Sequence, residues 1–229
     1  MVRRMILIFC MFFFMQACFP QIHNRNDLFP KKEIGSVNKS NFETEGYYYN
    51  IKTDTLYYKH DLQRNGTYNK EKSYYYPIKY LRCLFFSKDG FVLQKDFITP
   101  HVYNQDSVKY YNENLISIFE KKLTSTYNVE GPVKKKDLWF FNKKAQIWNN
   151  GIYKVRGDSI EMQLYKNVLG NYYLVRYSGV YKKRSLVFTK EYAYKENKIY
   201  HDNLIYEFKK FNIATISNYI RENPKKFWK

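Results

Sequence analysis

Strand-like alternation dominates this chain. Ile160-Glu161-Met162-Gln163-Leu164 alternates apolar and polar residues strictly, and Leu204-Ile205-Tyr206-Glu207-Phe208-Lys209 carries the same period of two. Such alternation predicts strands with one face buried and one face wet, as in antiparallel sheets. Gly46-Tyr47-Tyr48-Tyr49-Asn50-Ile51 reads as a strand, Lys52-Thr53-Asp54-Thr55 as a turn, and Leu56-Tyr57-Tyr58 as the returning strand. Tyr74 to Ser87 is a long β-prone run, in which Pro77 suggests an edge or a break. Lys88-Asp89-Gly90 then turns into Phe91-Val92-Leu93, because glycine accepts the positive φ of a tight hairpin. Further turn signals stand at Asn65-Gly66, Gly157-Asp158, Gly170-Asn171, Gly179, Lys195-Glu196-Asn197 and Asp202-Asn203. Short strands at roughly 8–12-residue spacing predict a barrel or a sandwich.

Two segments carry a helical period instead. Over 106–124, Val108, Tyr111, Leu115, Ile118, Phe119 and Lys122 recur at three- and four-residue spacing, with Asp106 or Asn112 as the expected cap. Near the C-terminus Ile213, Ile216 and Ile220 share a face, and Asn223-Pro224 stops that short helix. A weak internal repeat aligns Tyr49–Leu56 with Tyr153–Ile160, with a gapped echo at Gly179–Leu186. Its centre, an Asp flanked by small and hydroxyl residues, is turn chemistry and predicts a hairpin at each copy.

The first residues follow neither period. Met1-Val2-Arg3-Arg4 is basic, and Met5 to Met15 is an uncharged apolar run. That run is too short for a membrane span, which needs about 20 residues. It has the length of a signal-peptide core. The run closes on Met15-Gln16-Ala17-Cys18, which resembles the lipobox of bacterial lipoproteins. The resemblance implies a signal peptide over 1–17, removed on export, and acylation of Cys18. It also implies membrane attachment in the cell envelope, with Phe19 pointing to the outer rather than the inner membrane. Residues 18–45, with Pro20, Pro30, Gly35 and several Asn and Ser, read as a lipidated flexible tether. A single β-rich domain is expected over 46–229.

The turn style Gly151-Ile152-Tyr153-Lys154-Val155-Arg156-Gly157-Asp158-Ser159-Ile160, followed by alternating strands, looks like that of small exported lipoproteins with lipocalin-like or related antiparallel barrels. This resemblance implies an antiparallel barrel; an interior lined with Tyr and Phe would have room for one small apolar ligand.

Composition adds a bias and removes some functions. With 25 Tyr and 18 Phe, residues that favour strands, the β reading strengthens. The net charge of +18 points to anionic partners. Export argues against nucleic acid, and Lys interleaved with Tyr, Asn and Asp reads mainly as a solvated face. An anionic envelope surface is the partner such a charge would attract. Once Cys10 leaves and Cys18 is acylated, Cys83 is the sole thiol, in an apolar run that reads as core rather than nucleophile. His23, His60, His101 and His201 show no metal-ligand spacing, so no metal and no cofactor are expected. Arg156-Gly157-Asp158 reads as a turn, not an adhesion motif. No catalytic motif emerges, although a carboxylate pair for glycoside cleavage would meet only in the fold. The expectation is a membrane-anchored envelope lipoprotein that binds a small apolar ligand or a protein partner without catalysis. Its rivals are an envelope hydrolase acting on glycan or lipid, and an assembly subunit of an envelope complex.

Overall fold

The structure is a computed structural model and describes residues 21–37, 42–59, 73–98, 105–127, 147–212 and 218–228. Its strands are β1 (Gly35–Val37), β2 (Gly46–Lys59), β3 (Ser73–Phe86), β4 (Phe91–Ile98), β5 (Asn150–Arg156), β6 (Ser159–Val168), β7 (Asn171–Lys182), β8 (Ser185–Ala193) and β9 (Lys198–Lys210). Helix α1 (Gln105–Tyr127) lies between β4 and β5, and the short α2 (Tyr219–Glu222) follows β9. Each of β2 to β9 pairs antiparallel with its neighbours, β2 bonds β9, and β5 bonds both β4 and β6. The sheet is therefore a closed barrel of eight strands rather than a sandwich.

Alternation decides what fills it. Tyr48, Leu84, Phe86, Tyr153, Ile160, Met162, Leu164, Leu186, Phe188, Leu204 and Tyr206 point inward and form one buried cluster. The residues between them face out, and three outer segments cover them. Helix α1 lays Leu115, Phe119 and Leu123 over Tyr47, Leu81, Cys83 and Phe85. The N-terminal segment and α2 bring Leu28, Phe29, Ile220 and Phe227 onto Ile152, Tyr165 and Leu174.

Side-chain amides dock these segments. Phe29 N–H donates to Gln163 Oε1 at 2.8 Å, and Gln163 Nε2 donates to Asp27 O at 2.8 Å. Asn112 Oδ1 accepts from Lys79 N–H at 2.9 Å, and its Nδ2 donates to Pro77 O at 2.7 Å. Asn112 thus completes the β3 edge beyond the reach of β4 instead of capping α1. Pro77 carries its missing donor on that edge, so no strand–strand bond is lost. Asn218 caps α2 by accepting from Ile220 and Arg221 N–H, and donates to Val92 O at 3.0 Å.

Four expectations are corrected. The expected tether is not free over 21–37: Leu28 and Phe29 are buried and β1 adds to the barrel, so the folded unit starts well before Gly46. Four apolar residues spread over Ile22–Ile34 suffice to hold this segment once Gln163 satisfies its backbone. Lys52–Thr55 is not a turn: β2 runs through it, paired continuously with β3 from Tyr48 to Lys59. Of the repeat copies, Tyr153–Ile160 and Gly179–Leu186 do make hairpins, turning at Gly157-Asp158 and Lys183-Arg184. Gly179 and Asp202-Asn203 lie inside β7 and β9 at irregularities of the pairing. A Cβ on Gly179 would stand 2.0 Å from Val187 O, so close strand approach, not a turn, requires glycine there. Asn65-Gly66 and Ile213-Ile216 lie outside the described residues.

Beside β5, β4 occupies the edge along Asn150–Ile152 and β1 takes over along Lys154–Arg156. The handover is a glycine pair, since a Cβ on Gly90 (φ 90) would meet Gly35 N at 2.5 Å. No helix among the described residues is long and apolar enough to cross a membrane.

Candidate functional site

The barrel has two unlike ends. At the lower end lie the β3–β4, β5–β6 and β7–β8 hairpins and the start of β2. At the upper end lie the β6–β7 and β8–β9 hairpins, the end of β4 and the start of β5. Phe42, from the β1–β2 connection, closes the lower interior. Its ring centroid lies 5.1 Å from Phe86 and Tyr181 and 5.5 Å from Tyr48 and Tyr153. The aromatics that suggested an apolar ligand site are here packed against one another.

The upper interior is charged. Continuing the inward positions past Leu84, Val92 and Leu164 brings in Arg82 on β3, Gln94 and Asp96 on β4 and Lys166 on β6, and the register shift after Phe188 sets Glu191 of β8 opposite the inward Tyr177. Arg82 and Asp96 are directly opposed across β3–β4, with Nε to Oδ1 at 3.1 Å and Nη2 to Oδ2 at 3.5 Å. Gln94 Nε2 donates to Asp96 Oδ1 at 2.8 Å. Lys166 Nζ donates to Gln94 Oε1 at 2.6 Å and to Asn149 Oδ1 at 3.1 Å. Arg82 also bonds the Tyr206 hydroxyl, and Tyr177 bonds Glu191 across β7–β8. The two networks gather two cations and two carboxylates inside one wall. Solvent still reaches them: the Arg82 and Asp96 side chains are 23% and 32% exposed.

These environments shift titrations. Burial pulls Lys166 down to about 7, helped by the Arg82 charge and opposed by Asp96 and Glu191. Burial, then Glu191, raises Tyr177. Burial raises Tyr206 against the counter-effect of Arg82. Burial works against the charge of Arg82, but Asp96 and its hydrogen bonds more than offset it, so its pKa rises. The upper interior thus sets a guanidinium and a lysine whose charged form burial disfavours beside two carboxyl groups.

The wall beside this chamber is incompletely laced. The β2–β9 ladder pairs only Gly46–Tyr49 with Lys210–Glu207, although both strands continue upward. At the last pair Asn50 Nδ2 donates to Ile205 O at 2.6 Å, while Asn50 Oδ1 is buried without a protein partner.

The other candidates resolve as structure. Cys83 is buried under α1, and burial pushes its thiol well up, away from nucleophilic character. His23 stacks on Tyr173 at 4.4 Å, His201 is exposed on β9, and His60 and His101 lie outside the described residues. No cluster of His, Cys, Asp or Glu that would hold a metal occurs among the described residues. Asp96 commits both oxygens to Arg82 and Gln94. Cys18 lies outside the described residues. Near the lower end a cleft of about 470 Å³ opens among Phe85, Phe91, Phe211, Lys210, Asn218 and Arg221, where Arg221 is paired with Asp89 at 2.9 Å.

Sequence reading missed the charged set because its members stand on four strands. Lys166 follows the inward alternation of β6, where a polar residue reads as an ordinary strand end, whereas Glu191 breaks the alternation of β8 and comes inside only through the register shift after Phe188. Comparison with known family models, curated proteins and solved structures finds no match for this chain.

Proposed function

We propose that this chain is a lipid-anchored envelope lipoprotein, acylated at Cys18, whose barrel binds a small charged or strongly polar molecule without transforming it. The observation that carries the reading is the contrast inside the barrel. The lower half is packed with its own aromatics, whereas the upper half gathers Arg82, Lys166, Asp96 and Glu191, with Arg82 and Asp96 partly reachable by solvent. Burying four ionisable groups where apolar ones would fit is costly for folding. A ligand carrying a carboxylate or phosphate together with a donor group would recover that cost. This shifts the ligand chemistry from the apolar expectation to a polar one. Small-molecule sites place a few polar groups to fix orientation within a larger wall, and Tyr177 and Tyr206 suit that part.

The test is native mass spectrometry of the full lipidated chain extracted from the envelope in mild detergent, followed by denaturation. A stoichiometric extra mass that denaturation removes, and that Arg82→Met with Lys166→Met abolishes, supports the reading. An extra mass retained in that double variant places the ligand elsewhere. A bare mass across preparations, with no shift on adding small anions, sinks it.

A further inference from the structure

The N-terminal segment leaves the barrel at one end only. Gln21 is clamped to the start of β7: its N–H donates to Asn171 Oδ1 at 3.0 Å, and Tyr172 N–H donates to Gln21 O at 2.8 Å. His23 N–H returns to Tyr172 O at 2.8 Å. This clamp sits beside the β6–β7 hairpin, at the upper end. Cys18 is three residues before Gln21. Three residues reach about 10 Å at full extension. Strand β7 has 12 residues. At the strand rise and barrel tilt, that puts the lower end roughly 30 Å away. An acyl chain on Cys18 therefore cannot be joined to a barrel standing on its lower end.

The two ends also differ in surface chemistry. The lower turns are Lys88-Asp89-Gly90, Arg156-Gly157-Asp158 and Lys183-Arg184, all polar. The upper end carries Leu169 at 96% exposed, Trp148 at 51% and Tyr200 at 40%. Single exposed apolar residues such as Ile51 and Ile205 on the barrel wall are ordinary; the informative feature is a fully exposed leucine on a tip with Trp148 and Tyr200 toward the same end. Leu169 sits on the hairpin tip at φ 50, a left-handed position where Asn or Gly is the usual choice. Neither the turn nor the core uses its side chain. Exposed Lys195 and Lys198 stand at the β8–β9 hairpin of the same end. Apolar tips with Trp and Tyr beside basic residues match the interface of an anionic bilayer.

We infer that the upper end is a bilayer-contacting face. Leu169 enters the headgroup region, the basic residues meet anionic headgroups, and the charged chamber opens toward the membrane that holds Cys18. This rests on the lipoprotein reading above and adds an orientation to it. The flank beside the N-terminal segment is the competing contact, but it presents Arg25, Asn26, Asp27, Pro30 and Lys31, with no apolar tip.

The test uses the full lipidated chain in vesicles of zwitterionic and anionic phospholipid. A polarity-sensitive fluorophore is placed on Leu169→Cys at the tip, Lys31→Cys on the flank, or Asp158→Cys at the far end. Buried Cys83 and acylated Cys18 leave the new thiol as the reactive one. Quenchers carried on the lipids are expected to dim the tip label at least about threefold more than the other two, with a blue shift at the tip alone. Equal or greater quenching at position 31 means the barrel lies on its side and overturns the inference, as does quenching at 158. Intact mass separates the two layers. Acyl mass on Cys18 without tip quenching overturns the orientation alone, whereas absence of acyl mass overturns the anchor and the orientation with it.

Discussion

The lower and upper halves of this barrel are made by the same strands with the same alternation, yet they solve opposite problems. Below, inward positions are Tyr48, Phe86, Tyr153 and Phe188, and Phe42 seals them from the end. Above, the interior carries Arg82, Asp96, Lys166 and Glu191, with Arg82 and Asp96 only partly covered. Outside, the polarity reverses: polar turns cap the apolar half, and the apolar tip Leu169, with Trp148 and Tyr200, stands toward the charged half. Stability is thus concentrated at one end, which leaves the other free to hold groups that folding alone would not select.

The contrast can be broken most sharply from below. Phe42→Ala removes a ring with four aromatic partners and should cost about 3–5 kcal/mol in urea unfolding. A loss under about 1 kcal/mol would show that the lower seal is not part of the core. Next comes the upper pair. Arg82→Met strands the Asp96 carboxylate, and with both side chains partly exposed the expected loss is about 1–3 kcal/mol. Adding Asp96→Leu should recover most of it; a double variant as unstable as the single one would mean Arg82 acts through packing.

A smaller effect is read by pH. Lys166 has its pKa lowered to about 7 in the fold, whereas an unfolded lysine titrates near 10.4. Between those values the unfolded chain binds more protons, so stability rises with pH from about 7 toward 10, and below 7 the burial cost stands in full. The raised Tyr177 and Tyr206 act oppositely, but only above about 10. Burial lowers Lys95 as well, so urea midpoints between pH 7 and 9.5 should climb more steeply in the parent than in Lys166→Met, where Lys95 leaves a smaller climb. An equal climb in both would assign the slope to another group. The smallest change is Leu169→Asn. It should leave stability within about 0.5 kcal/mol, because Asn tolerates the left-handed turn, while weakening contact with anionic vesicles.

How much was legible beforehand follows from range. The Asp89-Gly90 and Gly157-Asp158 hairpins, the alternation of β6 and β9 and the helical face of α1 are set by neighbours a few residues apart. Lys52–Thr55 looked like its partner copy at Arg156–Ser159 but remains strand, because a continuous β3 is available to pair with it. The N-terminal segment looked like spacer because its anchoring groups, Gln163 and Trp228, are more than a hundred residues away. The charged chamber was invisible for the same reason: each member is an unremarkable strand residue until the register opposes Arg82 to Asp96 and brings Lys166 to Gln94.

The sequence by itself determined the strand and helix periods, most turns and the lipobox-like Met15–Cys18, because these depend on local geometry and short motifs. Tertiary structure alone decided that the sheet closes, that its charges meet inside one half, and that Gln21 leaves beside Leu169. Closure, convergence and exit point depend on pairing between distant strands, and pairing is a property of the whole chain.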